Sequence, residues 1–523
     1  MIKKTFLKFK IHTYLSIILL FFSFFINYIY SSYGVFPIDT FLHYDSSYRI
    51  TQGEYPIKDF WIVSGILVDF LGAFFFQIFG VNWSVYILHS SLLNSLFAIS
   101  TFFFLCKIEL KPILAFFYSI LGSVLAYPPS GTPFVDHHAV LLCLLSGYLL
   151  ILAITLKKNI YWFLFPIFLS LSFLSKQVPS SYLIILFSFI LLFYCLIKKN
   201  FKPIFLSFCS GFTILLIFFL FLEIFEIKFH DFLLQYILYP QSIGIGRLES
   251  LEFNFISLFN TYKFIILPFI ILLILNIKFF LKKSFFKEDK FFVLIIIFFI
   301  LISFLTHQLL SKNQIFIYFL IPIFSGLIHL NLDKEKFRIN KQVLVYSIIL
   351  FTVFTVFKYH FRYNENRKFH DLHNVNLNNA IPAEILDESL EGLKWITNDF
   401  ENDPKNEIEI LKKIKDYIVN DNENKILITH YSFFSAISNQ KLFSPSKTYT
   451  LDGASFPVKN NVYYEKYKNF FTRNIKNNSI KNIYLIDSEN LDNKIVENYL
   501  KKNCYQLKKI KYLKIYRVND KCF

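Results

Sequence analysis

Several common sequence patterns are absent from this chain, and each absence narrows its possible functions. The six cysteines include no Cys-x-x-Cys pair, so no cysteine-based metal motif is present. Gly244 and Gly246 lack the strand and helix context of a phosphate-binding loop. The sequence also has no internal repeat and no low-complexity linker. Since many transporters show repeat symmetry, the missing repeat argues against a transporter.

Apolar residues dominate the composition. The chain is 55% hydrophobic and 20% aromatic, with 69 phenylalanines and a mean hydropathy of +0.47. Soluble domains rarely carry so many apolar residues, so we expect an all-α polytopic membrane protein. The net charge of +17 does not indicate nucleic-acid binding, because much of it flanks apolar segments, where lysines contact lipid headgroups. The expected partners include membrane lipids and no nucleic acid.

About eleven apolar segments can span a bilayer of roughly 30 Å as helices. They are 12–30, 84–106, 112–128, 135–156, 159–175, 179–198, 202–226, 260–281, 290–307, 313–331 and 342–359. With these spans, clusters on one side hold 20 lysines and arginines, whereas the opposite loops before the tail hold 7. Short basic loops stay cytoplasmic. We therefore expect a plasma (inner) membrane protein with a cytoplasmic N-terminus and an extracytoplasmic tail.

Two segments need separate interpretation. The apolar run 14–30 follows lysines and has no clear A-x-A cleavage site, so an uncleaved signal anchor is expected. Residues 62–80 are apolar but contain Asp69, which is costly in lipid, and a span there would invert every later loop. We predict a juxtamembrane helix, within a first outer loop over 31–82.

The composition becomes polar near His360. The sequence predicts a transmembrane domain over 1–359 and a small extracytoplasmic α/β domain over 360–523. Within the tail the predicted elements are an amphipathic helix at EGLKWITNDF, strands at KILITHY, NIYLID and YLKIYRV, and a helix at LDNKIVENYLKK. Cys504 and Cys522 could pair in an oxidising compartment.

Asp39 lies a few residues after the first span, at the outer boundary of the membrane. A low dielectric there raises the pKa of a carboxyl group, so Asp39 could accept a proton from a hydroxyl. The alternative is a solvated loop acid. The same loop holds further charged residues, namely Asp45, Arg49, Glu54, Lys58 and Asp59.

Two further clusters carry polar residues at outer helix ends. PPSGTPFVDHH contains Asp136, His137 and His138, which could orient a substrate or supply one or two metal ligands. Adjacent helical residues do not share a face, so the three cannot easily bind one metal, and Asp136 could simply stabilise the helix start. Lys176 in FLSKQ could neutralise a phosphate or only extend to the lipid headgroups. Arg247 and His307 are weaker candidates.

The order of these motifs resembles the GT-C membrane glycosyltransferases, in particular the dolichyl-phosphate-mannose O-mannosyltransferase-like and lipid A sugar transferase group. Asp39 is followed by QGEYPIKDFW, with Gly53, Pro56 and Asp59, and by an apolar helix ending at Phe79-Gly80. FLSKQ resembles the lysine segment of the family, and IYFLIPIFSGL resembles its late tyrosine–proline helix. The likeness covers roughly 30–330, and the tail resembles an outward domain of some members. Thr40 stands where many relatives have Glu, and IVSGILVD replaces their P-P-L run.

The resemblance implies sugar transfer from a polyprenyl-phosphate donor to a hydroxyl or amine of a lipid, glycan or protein acceptor. Asp39 would be the general base, while Lys176, with Arg247, would hold the phosphate. The remaining candidates for substrate binding are Asp45, Asp59, Asp136, His137 and His138. No cofactor is expected with certainty, and a divalent metal stays open. The alternatives are an O-antigen polymerase or ligase type of enzyme and a polytopic transporter, although transporters usually place ionisable residues at the bilayer midplane.

Overall fold

The computed structural model of the chain describes residues 2–251, 254–311, 317–334, 341–487, 491–519 and 522, without the side chains of 2–9 and 334. The protein is mostly helical, with a bundle of long apolar helices and a small sheet near the C-terminus. This confirms the predicted fold class in outline.

Most helices up to residue 360 are long, and several of them are joined by short turns. They are α1 Ile2–Ser31, α2 Pro37–Thr40, α3 Tyr44–Thr51, α4 Ile66–Phe79, α5 Trp83–Lys107, α6 Pro112–Ala126, α7 Val135–Leu156, α8 Asn159–Ser175, α9 Gln177–Lys198, α10 Lys202–Ile224, α11 Phe229–Phe232, α12 Tyr239–Glu249, α13 Phe255–Leu275, α14 Ile277–Phe280, α15 Asp289–Leu310, α16 Leu320–Lys334 and α17 Lys341–His360.

Eight of the described helical segments are long and apolar enough to cross a membrane. They are Lys10–Ser31, α5, α7, α9, α10, α13, α15 and Lys341–His370. The predicted spans 112–128, 159–175 and 313–331 fall on shorter helices, α6, α8 and Ile317–Asp333, and residues 313–316 lie outside the described residues. A helix of 15 residues such as α6 is only about 22 Å long, because each residue adds about 1.5 Å.

The bundle has two chemically different ends. We call the end with Ser31, Trp83 and Ser175 the tail end, and the end with Lys107 and Asp289 the basic end. At the basic end, Asp289 forms an ion pair with Lys198, with 2.7 Å between Oδ1 and Nζ. The second oxygen of Asp289, Oδ2, lies 3.9 Å from Lys157 Nζ. The structure thus brings lysines of separate predicted clusters together. From the predicted basic residues, Lys312, Lys336 and Arg338 lie outside the described residues, as do the side chains of Lys3, Lys4, Lys8 and Lys334.

Helix α4 corresponds to the predicted juxtamembrane helix. At its start, the Gly65 N–H donates to the Ser175 carbonyl at 2.9 Å, and its end at Phe79 leads directly into the first turn of α5. Both of these contacts lie at the tail end. Helix α4 therefore runs across that end of the bundle and does not pass through it.

The C-terminal part is a three-layer α/β structure. Its helices are α18 Pro404–Val419, α19 Phe434–Ser438, α20 Tyr464–Asn477 and α21 Ile495–Tyr499; its strands are β1 Ile381–Pro382, β2 Lys394–Trp395, β3 Lys425–Ile428, β4 Asn482–Ile486, β5 Tyr505–Ile510 and β6 Leu513–Val518. The main sheet has the order β3-β4-β6-β5, in which β3 and β4 are parallel and the other pairs antiparallel. Alternate strand residues point to opposite faces, so Leu427 packs with α18 while Ile426 and Ile428 pack with α20.

The predicted strands KILITHY, NIYLID and YLKIYRV are confirmed as β3, β4 and β6. The helix predicted at EGLKWITNDF is wrong, because Lys394 and Trp395 form β2, whose backbone bonds to Ser32 and Gly34 of the bundle. Only Ile495–Tyr499 of LDNKIVENYLKK is helical, and β5 had no predicted counterpart. Cys504 and Cys522 form a disulfide with a Cα–Cα distance of 5.6 Å.

The tail and the first loop share one hydrophobic core at the tail end. The ring centroid of Phe41 lies 4.6 Å from that of Phe433 and 6.0 Å from that of Trp395. Trp61 donates its backbone N–H to Pro445 and accepts from Lys447. The C-terminal domain is therefore fixed against the loop that carries Asp39.

Candidate functional site

Asp39 lies in the four-residue helix α2, directly after the first long helix. Pro37 occupies the first turn, where a missing N–H costs little, and the Thr40 hydroxyl accepts a hydrogen bond from the Phe36 N–H at 2.9 Å. This compact turn places Asp39 at the wall of a cavity of about 700 Å³ at the tail end.

We call this space the cation–tyrosine cavity after the residues that line it. They are Phe36, Asp39, Asn260, Thr261, Tyr262, Lys263, Phe264, Gln308, Tyr318, Lys358, Tyr359, Arg362, Tyr363, Lys368, Phe369 and Asp371. The lining therefore contains four cations and four tyrosines beside two carboxylates. Such a surface suits a ligand that joins an anionic group to a ring or hydroxyl-bearing group.

Three of the four cations lie near aromatic rings. Lys358 Nζ lies 4.7 Å from the Phe264 ring centroid, and Lys263 Nζ lies 5.6 Å from the same centroid. The Arg362 guanidinium lies 5.5 Å from the ring of Tyr363. Within the described ranges, none of Lys263, Lys358, Arg362 and Lys368 forms an ion pair with a carboxylate. Their charge is thus available to an anionic ligand.

The tyrosines form a stack beside these cations. Tyr318 and Tyr359 lie 3.7 Å apart between ring centroids at an angle of 18°, and Tyr363 continues the stack 5.6 Å from Tyr318. The Tyr262 hydroxyl donates to Gln308 Oε1 at 2.9 Å. These contacts fix one wall of the cavity.

The carboxyl group of Asp39 has an unusual electrostatic environment. Burial raises its pKa to about 7, and the nearby charge of Asp136 acts in the same direction, whereas Lys176 partly offsets both. A carboxylate with a pKa near 7 can accept a proton at neutral pH and hold it during a reaction.

Asp136 and Lys176, predicted separately, form one buried cluster with His307. Lys176 donates from Nζ to both carboxylate oxygens of Asp136 at 2.8 Å, and His307 Nε2 lies 2.7 Å from Asp136 Oδ1. The carboxylate of Asp136 already neutralises Lys176. None of the three lines the cation–tyrosine cavity, although Gln308, next to His307, does.

The two histidines after Asp136 have different surroundings. His138 bonds through Nδ1 to the Tyr127 hydroxyl at 2.7 Å and through Nε2 to His89 at 2.9 Å. The ring of His137 packs 6.2 Å from Phe369, which lines the cavity. Among the described residues, no three His, Cys, Asp or Glu side chains are grouped as metal ligands would be.

The other three predicted site residues lie away from the cavity. Asp45 accepts from the backbone N–H and hydroxyl of Ser435, both at 3.1 Å, and so connects the first loop to the tail. Asp59 accepts from the Tyr55 N–H at 2.7 Å within a local turn. Arg247 lies 3.8 Å from Asp452 and is partly exposed.

The residues that sequence reasoning missed come mostly from one segment. Residues 358–371 read KYHFRYNENRKFHD and contribute Lys358, Arg362, Lys368 and Asp371 to the cavity. Cations alternate with aromatic residues in this segment, and that alternation could have indicated a polar binding site. Comparison of the chain with models of known protein families and with curated proteins gave no match.

Proposed function

We propose that this protein is a membrane glycosyltransferase that moves a sugar from a polyprenyl-phosphate donor to an acceptor hydroxyl. The observation that carries the proposal is the cation–tyrosine cavity, which Asp39 lines together with four cations that form no ion pair with a carboxylate in the described part of the chain. Such a transfer needs a base that takes the proton of the acceptor hydroxyl, and it needs a site that stabilises the anionic leaving group.

In the proposed reaction, Asp39 takes the proton of the acceptor hydroxyl as its oxygen attacks the anomeric carbon of the donor sugar. A new glycosidic bond forms, and the bond between the anomeric carbon and the phosphate oxygen breaks. The released polyprenyl phosphate gains a negative charge, which Lys263, Lys358, Arg362 and Lys368 would stabilise. The tyrosines would pack against the sugar ring.

This assignment differs from the phosphate site implied by the family resemblance. Lys176 is bound to both oxygens of Asp136, so we assign it a positioning role beneath Asp39. Its charge offsets that of Asp136 at Asp39 and keeps the pKa of Asp39 from rising further.

We further propose that the bundle crosses the inner membrane about eleven times, with the basic end in the cytoplasm and the tail end outside. The short helices α6, α8 and Ile317–Asp333 would then cross a locally thinner or deformed bilayer. The lysines at the basic end and the Cys504–Cys522 disulfide of the tail support this orientation independently.

The most direct test compares lipid extracts of a wild-type strain and a strain that lacks the gene. We expect the mutant to accumulate a polyprenyl-phosphate sugar and to lose one glycosylated product. Restoration by the wild-type gene, but not by a gene with Asp39→Asn, would tie the change to the cavity. Unchanged donor lipid in the deletion strain would refute the proposed function.

A further inference from the structure

A second cavity lies at the opposite end of the bundle, far from Asp39. Its volume is about 390 Å³, and α5, α7, α13, α15 and α16 surround it. The walls are largely aliphatic and include Ile151, Leu272, Leu294, Ile297, Leu327 and Leu330. The cavity is thus an apolar space at the basic end.

The polar residues of this cavity fall into two groups. Thr155 and Asn331 donate their side-chain hydrogen bonds to the carbonyls of Ile151 and Leu327, both at 2.9 Å, so they are satisfied within their own helices. Lys107, Lys290 and Glu109 are the charged residues of the lining, which therefore carries one net positive charge. Lys107 is the last residue of α5 and is exposed, so its ammonium group lies at the mouth of the cavity.

The surroundings of the mouth are strongly positive. The loops 107–111, 157–158, 198–202 and 276–290 hold twelve lysines and only three acids, Glu109, Glu288 and Asp289. Asp289 is already paired with Lys198, and Glu288 lies 3.1 Å from Lys282. A ligand of this cavity therefore meets apolar walls inside and excess positive charge outside.

We propose that this cavity binds an anionic diacyl phospholipid, with an acyl chain between the helices and the headgroup at Lys107, where the surrounding loops carry an excess of lysines. Basic pockets between helices at a membrane surface recognise anionic headgroups, and the aliphatic walls exclude water as an acyl chain requires. The site is independent of the proposed sugar transfer, because it lies at the other end of the bundle.

The test measures lipid binding to the purified full chain by native mass spectrometry with phosphatidylglycerol and phosphatidylcholine of equal chain length. Lys107→Gln should weaken phosphatidylglycerol binding about fivefold, the effect of one lysine near an anionic headgroup. Lys111→Gln is the matched control, since Lys111 lies at the same end but does not line the cavity. Val293→Phe, which fills the cavity from α15, should weaken binding of the same lipid without removing any charge.

Four results would overturn the proposal. They are equal binding of the two lipids, equal weakening by Lys107→Gln and Lys111→Gln, full binding by a folded Val293→Phe protein, and displacement of phosphatidylglycerol by equimolar polyprenyl phosphate. The last result would assign the cavity to the sugar donor. Melting temperatures in lipid-free detergent show whether each variant folds. If Val293→Phe does not fold, the comparison of Lys107→Gln with Lys111→Gln still tests the proposal.

Discussion

Asp39 is surrounded by groups that act on its proton in opposite directions. Burial and Asp136 raise its pKa to about 7, while Lys176 lowers it. Since Asp136 and Lys176 bond to each other, the net field at Asp39 depends on how well that pair is formed. The base would therefore be adjusted by a neighbouring buried cluster that has no contact with the cavity itself.

The first prediction concerns pH. If Asp39 is the general base, the transfer rate should rise about tenfold per pH unit below pH 7 and level off above it, because only the carboxylate accepts a proton. Asp39→Asn should lower the rate by about 10²–10⁴ and remove this rise. Asp231→Asn, an acid at the same end outside the cavity lining, should leave the profile unchanged. Near-normal turnover of Asp39→Asn would move the role to Asp371.

The second prediction separates phosphate binding from positioning. Lys358→Gln and Arg362→Gln should each raise the KM for the lipid donor by roughly 10–100-fold, since each removes a charged hydrogen-bond donor worth about 1.5–3 kcal/mol. Lys176→Gln should instead lower kcat and shift the pH profile upward, because Asp136 then raises the pKa of Asp39 unopposed. Steady-state kinetics in detergent, with Lys228→Gln as the control, distinguish the two patterns. A donor KM that changes only with Lys176→Gln would restore Lys176 as the phosphate ligand.

Helix α4 is joined to the C-terminal domain by a buried ionic cluster. Lys447 donates to both oxygens of Asp69 at 2.6 and 2.8 Å, and the Ser46 hydroxyl donates to Asp69 at 2.5 Å. His43 Nδ1 lies 2.6 Å from the same carboxylate. Burial would raise the pKa of Asp69, but Lys447 and His43 outweigh it and hold the pKa below its usual value.

The third prediction is that this cluster fixes the C-terminal domain. Asp69→Asn should destabilise the protein by about 3–5 kcal/mol, because it leaves the charge of Lys447 buried without a carboxylate to neutralise it. Adding Lys447→Met should recover most of the loss. Thermal unfolding measures both effects, and Glu465→Gln, which removes an exposed ion pair of α20, should cost less than about 1 kcal/mol. Equal effects of Asp69→Asn and Glu465→Gln would contradict this role.

The fourth prediction follows from His43. Burial, with the charge of Lys447, lowers its pKa to about 4, below the unfolded value of about 6.5. As the pH falls, His43 therefore binds a proton in the unfolded chain before it does so in the folded protein. The contribution of neutral His43 to the free energy of unfolding is fully present above about pH 6.5 and is lost between pH 6.5 and 4. Limited proteolysis of the C-terminal domain across this range should show the decline. His43→Gln should make the decline smaller but not remove it, because burial also lowers the pKa of His430, and an unchanged pH dependence in that variant would exclude His43 as a contributor.

The elements that sequence reasoning predicted well are those with strong local periodicity. The eight long apolar helices and the strands β3, β4 and β6 follow from runs of hydrophobic residues alone. The segment 391–400 was misassigned because Trp395 is buried by tertiary contacts, with its indole N–H donating to Glu407 at 2.8 Å. The backbone of Lys394 forms hydrogen bonds with Ser32 and Gly34, and these bonds hold the segment as a strand although its local pattern weakly favours a helix.

The candidate site was predictable only in part, because its walls come from four distant parts of the chain. Asp39 was found from its position beside the first span. The cations come from α13, from the last turn of α17 and from the segment after it, and no local pattern connects Lys263 with Arg362. The pairing of Asp136 with Lys176 was equally hidden, since 40 residues separate them. Both groupings depend on how the helices pack, which periodicity does not specify.

At the scale of the whole molecule, the cation–tyrosine cavity and the apolar cavity lie at opposite ends of one bundle, and their chemistry differs. The tail end holds carboxylates, tyrosines and the C-terminal domain, whereas the basic end holds lysines and aliphatic walls. If the proposed orientation is correct, the sugar donor would enter from one leaflet and an anionic phospholipid from the other. The orientation of the bundle therefore decides which leaflet supplies the ligand in each of the two proposals.

The fifth prediction tests that orientation with single cysteines in intact cells. A membrane-impermeant maleimide should label Asn460→Cys in the exposed surface of the C-terminal domain and should not label Ser284→Cys at the basic end until the cells are opened. The native Cys504 and Cys522 should resist alkylation unless a reductant is added, because a disulfide persists only in an oxidising compartment. The reverse labelling pattern would put the basic end outside. In that case the lysines would not follow the charge rule for cytoplasmic loops, and the cation–tyrosine cavity would face the cytoplasm, where soluble nucleotide sugars could replace the lipid donor as its ligand.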